Sequence, residues 1–456
     1  MTDLERAYAA LAAKNLAYKT LFDYYDGNQP LVYSTERLRE IFQKIDARFE
    51  QNWCAVVVDS VLERLTLKGW DSKDKTINAA IDALWTANEL GLDAYDVHTA
   101  VLVASEAFVI AWPDEATGEP EAYYNDPRMC HVFYDPTHPR RKTFAAKWWD
   151  GDDGFRRLTL YYPDKIIYYK STVKNENLQS ANAFQQDGEE LPNDYGEVPV
   201  FHWQRNRRSM TSELGNVVHI QDAINKLFAD MMVAAEFGAF RQRYIIGNAG
   251  TKGLKNAPNE IWELPGGDGV GQATSVGEFT ATDLKNYLDS MDKLAESVAI
   301  ISRTPKHYLL SAGAGLSGDA LIAMEGPLVK KCQRYIEALS VPWQQLGAFM
   351  LKIKGMTVNP SDLQPVWEDP RTIQPLAEAQ SRKLAKEAGI PLNTLLRREG
   401  WDQGEIAQMQ KDAQEEKSAQ TSMAQAVLAQ VRQQFDQGKG GQQVYSERGN
   451  GQPVPD

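Results

Sequence analysis

Two segments decide the fold: residues 211–238, TSELGNVVHIQDAINKLFADMMVAAEFG, and residues 282–305, TDLKNYLDSMDKLAESVAIISRTP. In both segments the apolar residues recur at steps of three and four, which predicts amphipathic helices. The hydroxyls of Thr211 and Ser212 can cap the first helix, and Pro305 ends the second. A glycine-rich excursion separates them, so the two helices are predicted to run out and back. Their apolar positions include Leu214, Val218, Leu227, Met231, Leu284, Leu288, Met291 and Leu294.

Composition sets the outer bounds of the prediction. A chain of 456 residues can form two or three cores at roughly 100–200 residues per domain. The longest apolar run, 100–112, contains Ser105 and Glu106 and is shorter than the roughly 20 residues that cross a bilayer. The first 16 residues lack the basic and then apolar order of a signal peptide. We therefore expect a protein of ordinary soluble composition, with no membrane partner.

The cysteine count and the net charge further limit the classes of protein to which the chain could belong. The three cysteines, Cys54, Cys130 and Cys332, are far apart and odd in number, which favours a reducing compartment over a disulfide frame or a zinc site. A formal charge of −13 disfavours a protein that grips nucleic acid tightly, because phosphate neutralisation needs clustered lysine and arginine. The same charge is compatible with a surface that DNA slides past.

The first half of the chain is predicted to be α+β. Three helical patterns cover residues 3–26, 34–66 and 75–104. Short segments rich in aromatic and β-branched residues then alternate with turn clusters, which predicts an antiparallel meander. These strands are 107–112, 121–124, 130–134, 142–149, 155–162 and 165–170, and one more covers 199–203 after a polar loop at 171–196.

The second half is predicted to be mainly helical. Residues 305–318 are too rich in glycine for helix or strand, and a long helix follows at 319–354. Pro327 and Pro342 lie inside that helix and should bend or break it. An extended piece at 363–367 leads to helices at 372–388, 391–399 and 403–436. The last 20 residues have the composition of a disordered tail.

A search for catalytic or ligand motifs finds none that fits. Residues 247–253 lack the order of a phosphate-binding loop, and the glycines of 265–271 do not lie between a strand and a helix. Ser317 lacks the glycine two places on that a nucleophile elbow needs. The six histidines have no ligand spacing. We therefore predict no catalytic residue, no metal and no cofactor.

Three stretches carry a family resemblance. Residues 211–227, residues 301–305 followed by 316–321, and residues 366–370 followed by 383–384 and 388–391 are similar in order and spacing to the SPP1-type family of bacteriophage portal proteins. The resemblance covers about residues 1–415. It implies a mainly helical α+β subunit with named parts: a wing (1–206), an outgoing stem helix (207–238), a clip (239–281), a returning stem helix (282–304), a tunnel loop (305–318), a bent wing helix and strand (319–371), a helical crown (372–436) and a tail (437–456).

The resemblance also implies a function. Such subunits form a closed ring, commonly a dodecamer, at one vertex of the capsid, and double-stranded DNA passes through it during packaging and ejection. The implied partners are the large terminase subunit, which hydrolyses ATP, the major capsid and scaffold proteins, and head-completion or adaptor proteins that dock at the clip. The chain would then be a virion component assembled in the cytoplasm of the host bacterium, and not an enzyme.

Two groups of residues are candidates for DNA contact. The tunnel-loop group is Lys306, His307, Tyr308, Leu309, Leu310 and Ser311, and the clip group is Arg241, Arg243, Lys252 and Lys255. A mostly acidic wall would repel phosphates, and these few cations could still touch the backbone. The clip residues could equally be solvated or bind a protein partner, because such patches look alike in sequence. Two other classes stay open: another structural head protein, such as a minor capsid or scaffold-associated component, and a nucleic-acid-processing enzyme with a dispersed site.

Overall fold

The structure, a computed structural model, describes residues 1–29, 51–206, 211–239, 243–246, 275–279, 283–310, 317–372, 375–398 and 403–439. The chain divides into two compact units, Met1–Arg371 and Thr372–Asp456. Helix and strand are mixed in the first unit, which confirms the predicted α+β class. The two candidate stem helices lie in this first unit, together with the residues that follow them as far as Arg371.

The N-terminal helices follow the predicted pattern in part. Helix α1 (Asp3–Tyr25) begins with a capping box, in which Thr2 accepts from the Glu5 backbone and Glu5 accepts from the Thr2 backbone. Helix α2 (Trp53–Leu62) lies inside the predicted helix 34–66, but residues 34–50 are outside the described part. The third pattern forms two helices, α3 (Lys75–Ala87) and α4 (Leu90–Ala104), which meet near Gly91.

The largest sheet contains four of the six strands of the predicted meander. Strands β4 (Cys130–Tyr134), β5 (Lys142–Asp150), β6 (Phe155–Tyr161), β7 (Lys165–Lys174) and β8 (Phe184–Gln186) are hydrogen-bonded in that order, and β9 (Leu191–Pro192) pairs with β7. The prediction of a loop over 171–196 was therefore wrong in part. Phe184 is buried, and its ring lies 6.2 Å from that of Tyr8 on α1, which explains why this polar stretch holds a strand.

Three predicted strands form a different sheet, and two of them come from the predicted meander, which is therefore not one continuous sheet. Strands β2 (Glu106–Pro113) and β3 (Pro120–Asn125) form a three-stranded antiparallel sheet with β10 (Val200–Gln204), in the order β10-β2-β3. A further pair joins β1 (Leu67–Asp71) to β13 (Gln364–Trp367), almost 300 residues later. The sequence pattern predicts the extended piece that became β13 and misses β1.

The candidate stem is a pair of helices joined to a ribbon. Helix α5 (Val218–Ala239) begins later than predicted, because residues 213–217 form turns. Helix α6 (Lys285–Ser302) packs against it, and Arg303 ends it in the left-handed conformation, with φ of 60°. Between them, β11 (Arg243–Ile246) pairs antiparallel with β12 (Ser275–Glu278), while residues 247–274 lie outside the described part.

Residues 305–318 differ from the prediction of an irregular loop. Residues Lys306–Leu309 form one turn of helix, α7, and residues 311–316 are outside the described part. Helix α8 (Gly318–Ile353) then begins at a Ser317 cap and continues through Pro327 and Pro342, so neither proline ends it. Its buried face includes Trp343, which packs against Trp70 and Trp203 in the core.

The second unit is helical. Helices α9 (Pro375–Glu387), α10 (Leu392–Arg398) and α11 (Gln403–Lys439) match the three predicted helices, and Leu395, Leu396 and Ile406 are buried within the unit. Residues 437–439 of the predicted disordered tail belong to α11 instead, and the rest of that tail lies outside the described part of the chain. Among the described residues, no helix has both the length and the apolar content that a membrane span requires.

Candidate functional site

A buried carboxylate fixes the base of the helix pair. Glu213 lies in the turns before α5, and its side chain is only 3% exposed. It accepts from Arg205 Nη2 at 2.7 Å, from Lys331 Nζ at 2.6 Å and from the Tyr335 hydroxyl. Lys331 also donates to the backbone oxygen of Ser302 at 2.8 Å, at the end of α6. Both helices of the pair are thereby tied to α8.

Further polar contacts hold α5 against the N-terminal helices. The Tyr24 hydroxyl donates to Asp222 at 2.6 Å, and the Trp53 backbone N–H donates to Gln221 Oε1 at 2.9 Å. Burial raises the pKa of the Asp222 carboxyl above its usual range, and the hydrogen bond from Tyr24 opposes that rise. The base of the pair is therefore anchored to three other helices, α1, α2 and α8.

A second buried cluster lies where the chain leaves α6 and enters α7. Arg64, beyond the end of α2, donates from Nη2 to the Tyr308 hydroxyl at 2.7 Å and from Nη1 to the Pro370 carbonyl at 2.7 Å. The same guanidinium lies 3.2 Å from Glu325 Oε2 on α8, and Tyr308 donates to the other oxygen of Glu325 at 3.2 Å. His307 Nε2 lies 3.7 Å from that carboxylate. These contacts hold α7 between α2 and α8.

Lys306 is the exposed cation of this segment. Its side chain is 46% exposed and forms an ion pair with Glu296 on α6, which Lys293 also contacts at 3.1 Å. Lys306 and then Lys293 hold the pKa of the Glu296 carboxyl below its usual range. The charge of Lys306 is therefore partly offset by a carboxylate of the preceding helix.

The structure places the tunnel-loop candidates in different environments. Lys306, His307 and Tyr308 lie together on α7, whereas Leu309 is buried in the core and Leu310 is half-buried against it. Ser311 lies outside the described residues. Only Lys306 of the five described candidates is exposed.

The clip and stem candidates are placed as follows. Arg243 is half-buried in β11, and Arg241, Lys252 and Lys255 fall outside the described residues. Among the stem candidates, Leu214 and Met291 are buried and Leu288 is 49% exposed. The other stem candidates are half-buried: Val218, Leu227, Met231, Leu284 and Leu294.

Sequence reasoning missed most members of the two clusters. Arg64 and Tyr308 are 244 residues apart, and Glu213 and Lys331 are 118 residues apart. In the sequence, Glu213 suits only the positive end of the dipole of a helix that starts near Thr211. No local sequence pattern predicts such pairs, because the two partners are far apart in the chain and come into contact only in the folded structure.

One buried constellation resembles a catalytic arrangement. Glu106 accepts from His202 Nε2 at 2.9 Å, and His202 Nδ1 lies 3.0 Å from the Tyr134 hydroxyl. Lys14 and Tyr18 of α1 also bind Glu106. Burial alone would raise the pKa of Glu106, but His202 and Lys14 lower that pKa to about 2. Its partners on α1, β4 and β10 make this constellation a buried link between the N-terminal helix and two sheets.

Comparisons with known proteins give the family. The family model described as "Phage portal protein, SPP1 Gp6-like" matches residues 11–420. A portal protein of Mycobacterium phage L5 is 25% identical over 405 residues, which is 81% of this chain and 78% of that protein. A portal protein of Mycobacterium phage D29 is 24% identical over 367 residues, covering 71% of this chain and 70% of that protein. The family match spans the helix pair and both clusters at its base, and the chain belongs to the phage portal proteins of the SPP1 Gp6-like family.

Proposed function

We propose that this chain is the subunit of a closed ring at one vertex of a phage capsid, through which double-stranded DNA is packaged and later ejected. One observation carries the proposal: the antiparallel pair α5 and α6, anchored at its base and bearing a β-ribbon at its far end, in a chain that the portal family matches over residues 11–420. This arrangement suits a stem with a clip at its end. The wing, tunnel-loop and crown boundaries given above are part of the same proposal.

The exposed apolar side chains of α6 support ring formation. Ile300 is 65% exposed and Ile301 is 48% exposed, at the anchored end of the helix, and Leu288 is 49% exposed further along. A helix that leaves such residues uncovered gains from contact with a neighbouring copy. Head-to-tail contacts that close on themselves generate a ring. The expected size, a dodecamer, follows from the resemblance to the portal family.

The net negative charge of the chain favours a channel through which DNA slides, and it disfavours tight binding of DNA. Each subunit has a formal net charge of −13, so a ring of subunits would carry a strongly negative total charge. An acidic channel wall repels phosphates. Lys306 and His307, and the four clip cations, are proposed as the few contacts to the DNA backbone. The clip cations remain equally suited to a protein partner.

The remaining partners follow from the ring proposal. A channel subunit needs a separate ATP-hydrolysing motor, so the large terminase subunit is proposed to dock at the clip during packaging. Head-completion and adaptor proteins would later occupy the same end, and major capsid and scaffold proteins would surround the wing. The protein would be assembled in the bacterial cytoplasm and remain in the virion.

Native mass spectrometry of the purified protein, with negative-stain images of the same sample, tests the ring. We expect an assembly of about twelve subunits with a central hole. A monomer or dimer that persists at high protein concentration would overturn the proposal and favour another structural head component.

A further inference from the structure

A groove follows one side of helix α8. Three adjoining recesses share lining residues: Arg205 and Asn206 connect the first to the second, and Arg140, Lys142 and Gln345 connect the second to the third. The middle recess has a volume of about 960 Å³. The helix residues that line the groove extend from Lys331 to Lys352, which spans about 30 Å at a rise of about 1.5 Å per residue.

The groove is basic, although the chain is acidic. The described lining residues include eight cations, namely Arg140, Arg141, Lys142, Arg205, Arg303, Lys331, Arg334 and Lys352. They include three carboxylates, Glu197, Glu213 and Glu337. The net charge of the groove is therefore positive, and the rest of the chain is more acidic than its total of −13 indicates.

Several groove cations have no carboxylate of their own. Glu213 and Glu197 satisfy Arg205, Lys331 and Lys352 through ion pairs. By contrast, within the described parts of the chain no ion pair involves Arg140, Arg303 or Arg334, and all three side chains are exposed. Exposed guanidinium groups on the rim of a recess are suited to paired hydrogen bonds with carboxylates.

The floor between the cations is partly apolar. Val341, which is 41% exposed, lies in the middle recess beside Ala338 and Pro342. The backbone of a DNA duplex presents a regular row of phosphates with only small sugar C–H surfaces between them, so it suits the cations better than the apolar floor. A protein segment that carries both carboxylates and apolar side chains can satisfy the rim and the floor together.

We propose that this groove receives an acidic segment of a second copy of this chain and forms part of the contact between neighbouring subunits. The inference rests on the proposed ring and adds the residues on one side of its interface. Charge complementarity supports this occupant, because the chain outside the groove is strongly acidic. A heterologous contact of this kind joins two different surfaces and can close into a ring.

Charge reversal at the rim tests the groove. Arg334→Glu and Arg140→Glu, made separately, should each lower the fraction of protein in rings at least about tenfold at the concentration where the wild type is half assembled, because like charges would face each other at every interface. Lys330→Glu is the matched control, since Lys330 is exposed on the same helix and does not line the groove. Circular dichroism and thermal melting check that each variant is folded.

The outcomes separate the two proposals. Wild-type protein that forms no ring would overturn the proposed function itself. Rings that form normally in both groove variants would overturn the groove as a subunit interface and leave the ring intact. Rings that form normally but lose affinity for a linear DNA duplex would assign the groove to nucleic acid. An equal loss of rings in Lys330→Glu would show a general charge effect and would also overturn the inference.

Cross-linking gives independent evidence about the occupant. R334K introduces an amine at the rim, and a carbodiimide joins such an amine to a carboxylate in direct contact. Rings are assembled from equal amounts of unlabelled and ¹⁵N-labelled protein, so that mass spectrometry identifies links between different copies. We expect mixed-isotope links from the introduced amine to an aspartate or glutamate of the other copy. Links confined to single copies would contradict the proposal.

Discussion

At the scale of single residues, Arg64 links three parts of the fold that lie far from it in sequence. Its guanidinium contacts Tyr308 on α7, Glu325 on α8 and the backbone at Pro370. The side chains of Arg64 and Glu325 are 15% and 10% exposed, so the ion pair is poorly screened by water. An arginine is suited to this position because its planar fork can satisfy three acceptors at once.

Removal of the Arg64 side chain should destabilise the protein strongly. We expect Arg64→Ala to lower the free energy of unfolding by about 3 kcal/mol, because it leaves Glu325 buried without its cation. Tyr308→Phe removes one hydroxyl from the same cluster and should cost about 1 kcal/mol. Urea unfolding of both variants in the same assembly state measures the difference. Equal losses in the two variants would show that the buried ion pair is not the main contribution.

A buried histidine should make stability depend on pH. Burial lowers the pKa of His98 to about 3, while its Nε2 accepts from Trp343 Nε1 at 3.2 Å. The unfolded chain takes up a proton near pH 6.5 that the folded protein does not accept until about pH 3. The free energy of unfolding should therefore decrease as pH falls through this range, by about 1.4 kcal/mol per pH unit for this histidine.

His98→Gln tests that dependence. The variant should reduce the slope of unfolding free energy against pH between pH 6 and pH 5 by about 1.4 kcal/mol per unit, although its stability at pH 7 also changes. His138→Gln is the control, because the His138 side chain is 74% exposed in the β4–β5 hairpin. An unchanged slope in His98→Gln would mean that another group takes up the proton.

At the scale of elements, local patterns predict the structure wherever partners are near in sequence. Strands β4 to β6 are rich in aromatic and β-branched residues and are joined by short turns, so each pairs with a strand that is its neighbour in sequence. Strand β1 contains Lys68 and Gly69, and its partner β13 is almost 300 residues away, so no local signal marks it. Helix α7 was missed because the glycines after it dominate the composition of its segment.

Glycines of α8 show how packing decides the effect of a substitution. A Cβ atom at Gly347 would lie 3.1 Å from Leu363 and 3.2 Å from Trp70, whereas at Gly326 it would meet nothing within 4 Å apart from its chain neighbours and the backbone of its own helix. Gly347→Leu should therefore destabilise the protein by about 2–3 kcal/mol through overpacking. Gly326→Ala should change stability by less than about 1 kcal/mol, because its gain in helix propensity opposes a clash with Pro327.

Thermal or urea unfolding of Gly347→Leu and Gly326→Ala measures the loss of stability in each variant relative to the wild type. Similar small effects at the two positions would show that Leu363 and Trp70 move aside at little cost. A large loss in Gly326→Ala would instead locate the constraint in the backbone before Pro327. Sequence alone cannot separate the two glycines, since both lie inside the same helical pattern.

At the scale of the whole molecule, the first unit contains its own core. All three hydrophobic clusters of the described residues consist of residues from Met1–Arg371. We expect a chain that ends at Arg371 to fold cooperatively and to melt within about 3 °C of the first transition of the full chain, which corresponds to about 1 kcal/mol. Circular dichroism during heating measures this. Loss of a cooperative transition would show that residues after 371 are needed to fold the first unit.

The proposed contact of Lys306 and His307 with DNA depends on the assembled ring, not on a single subunit. A single Lys306 is partly offset by Glu296, but the proposed ring would repeat the residue in every subunit and would place all copies at one level of the proposed channel. In the proposed ring, repetition would therefore turn a weak contact into a belt of positive charge on an acidic wall. Such a belt can touch phosphates while the wall above and below still allows DNA to slide.

DNA packaging by the double variant Lys306→Ala, His307→Ala tests this belt. We expect fewer capsids that retain full-length DNA, with ring assembly unchanged, because the double variant removes the proposed phosphate contacts. Lys293→Ala is the matched control: Lys293 contacts the same Glu296, but it belongs to α6 and not to α7, and its side chain is 81% exposed. Normal packaging and retention in the double variant would contradict a role for these side chains, and equal loss in both variants would point to the charge of Glu296 instead.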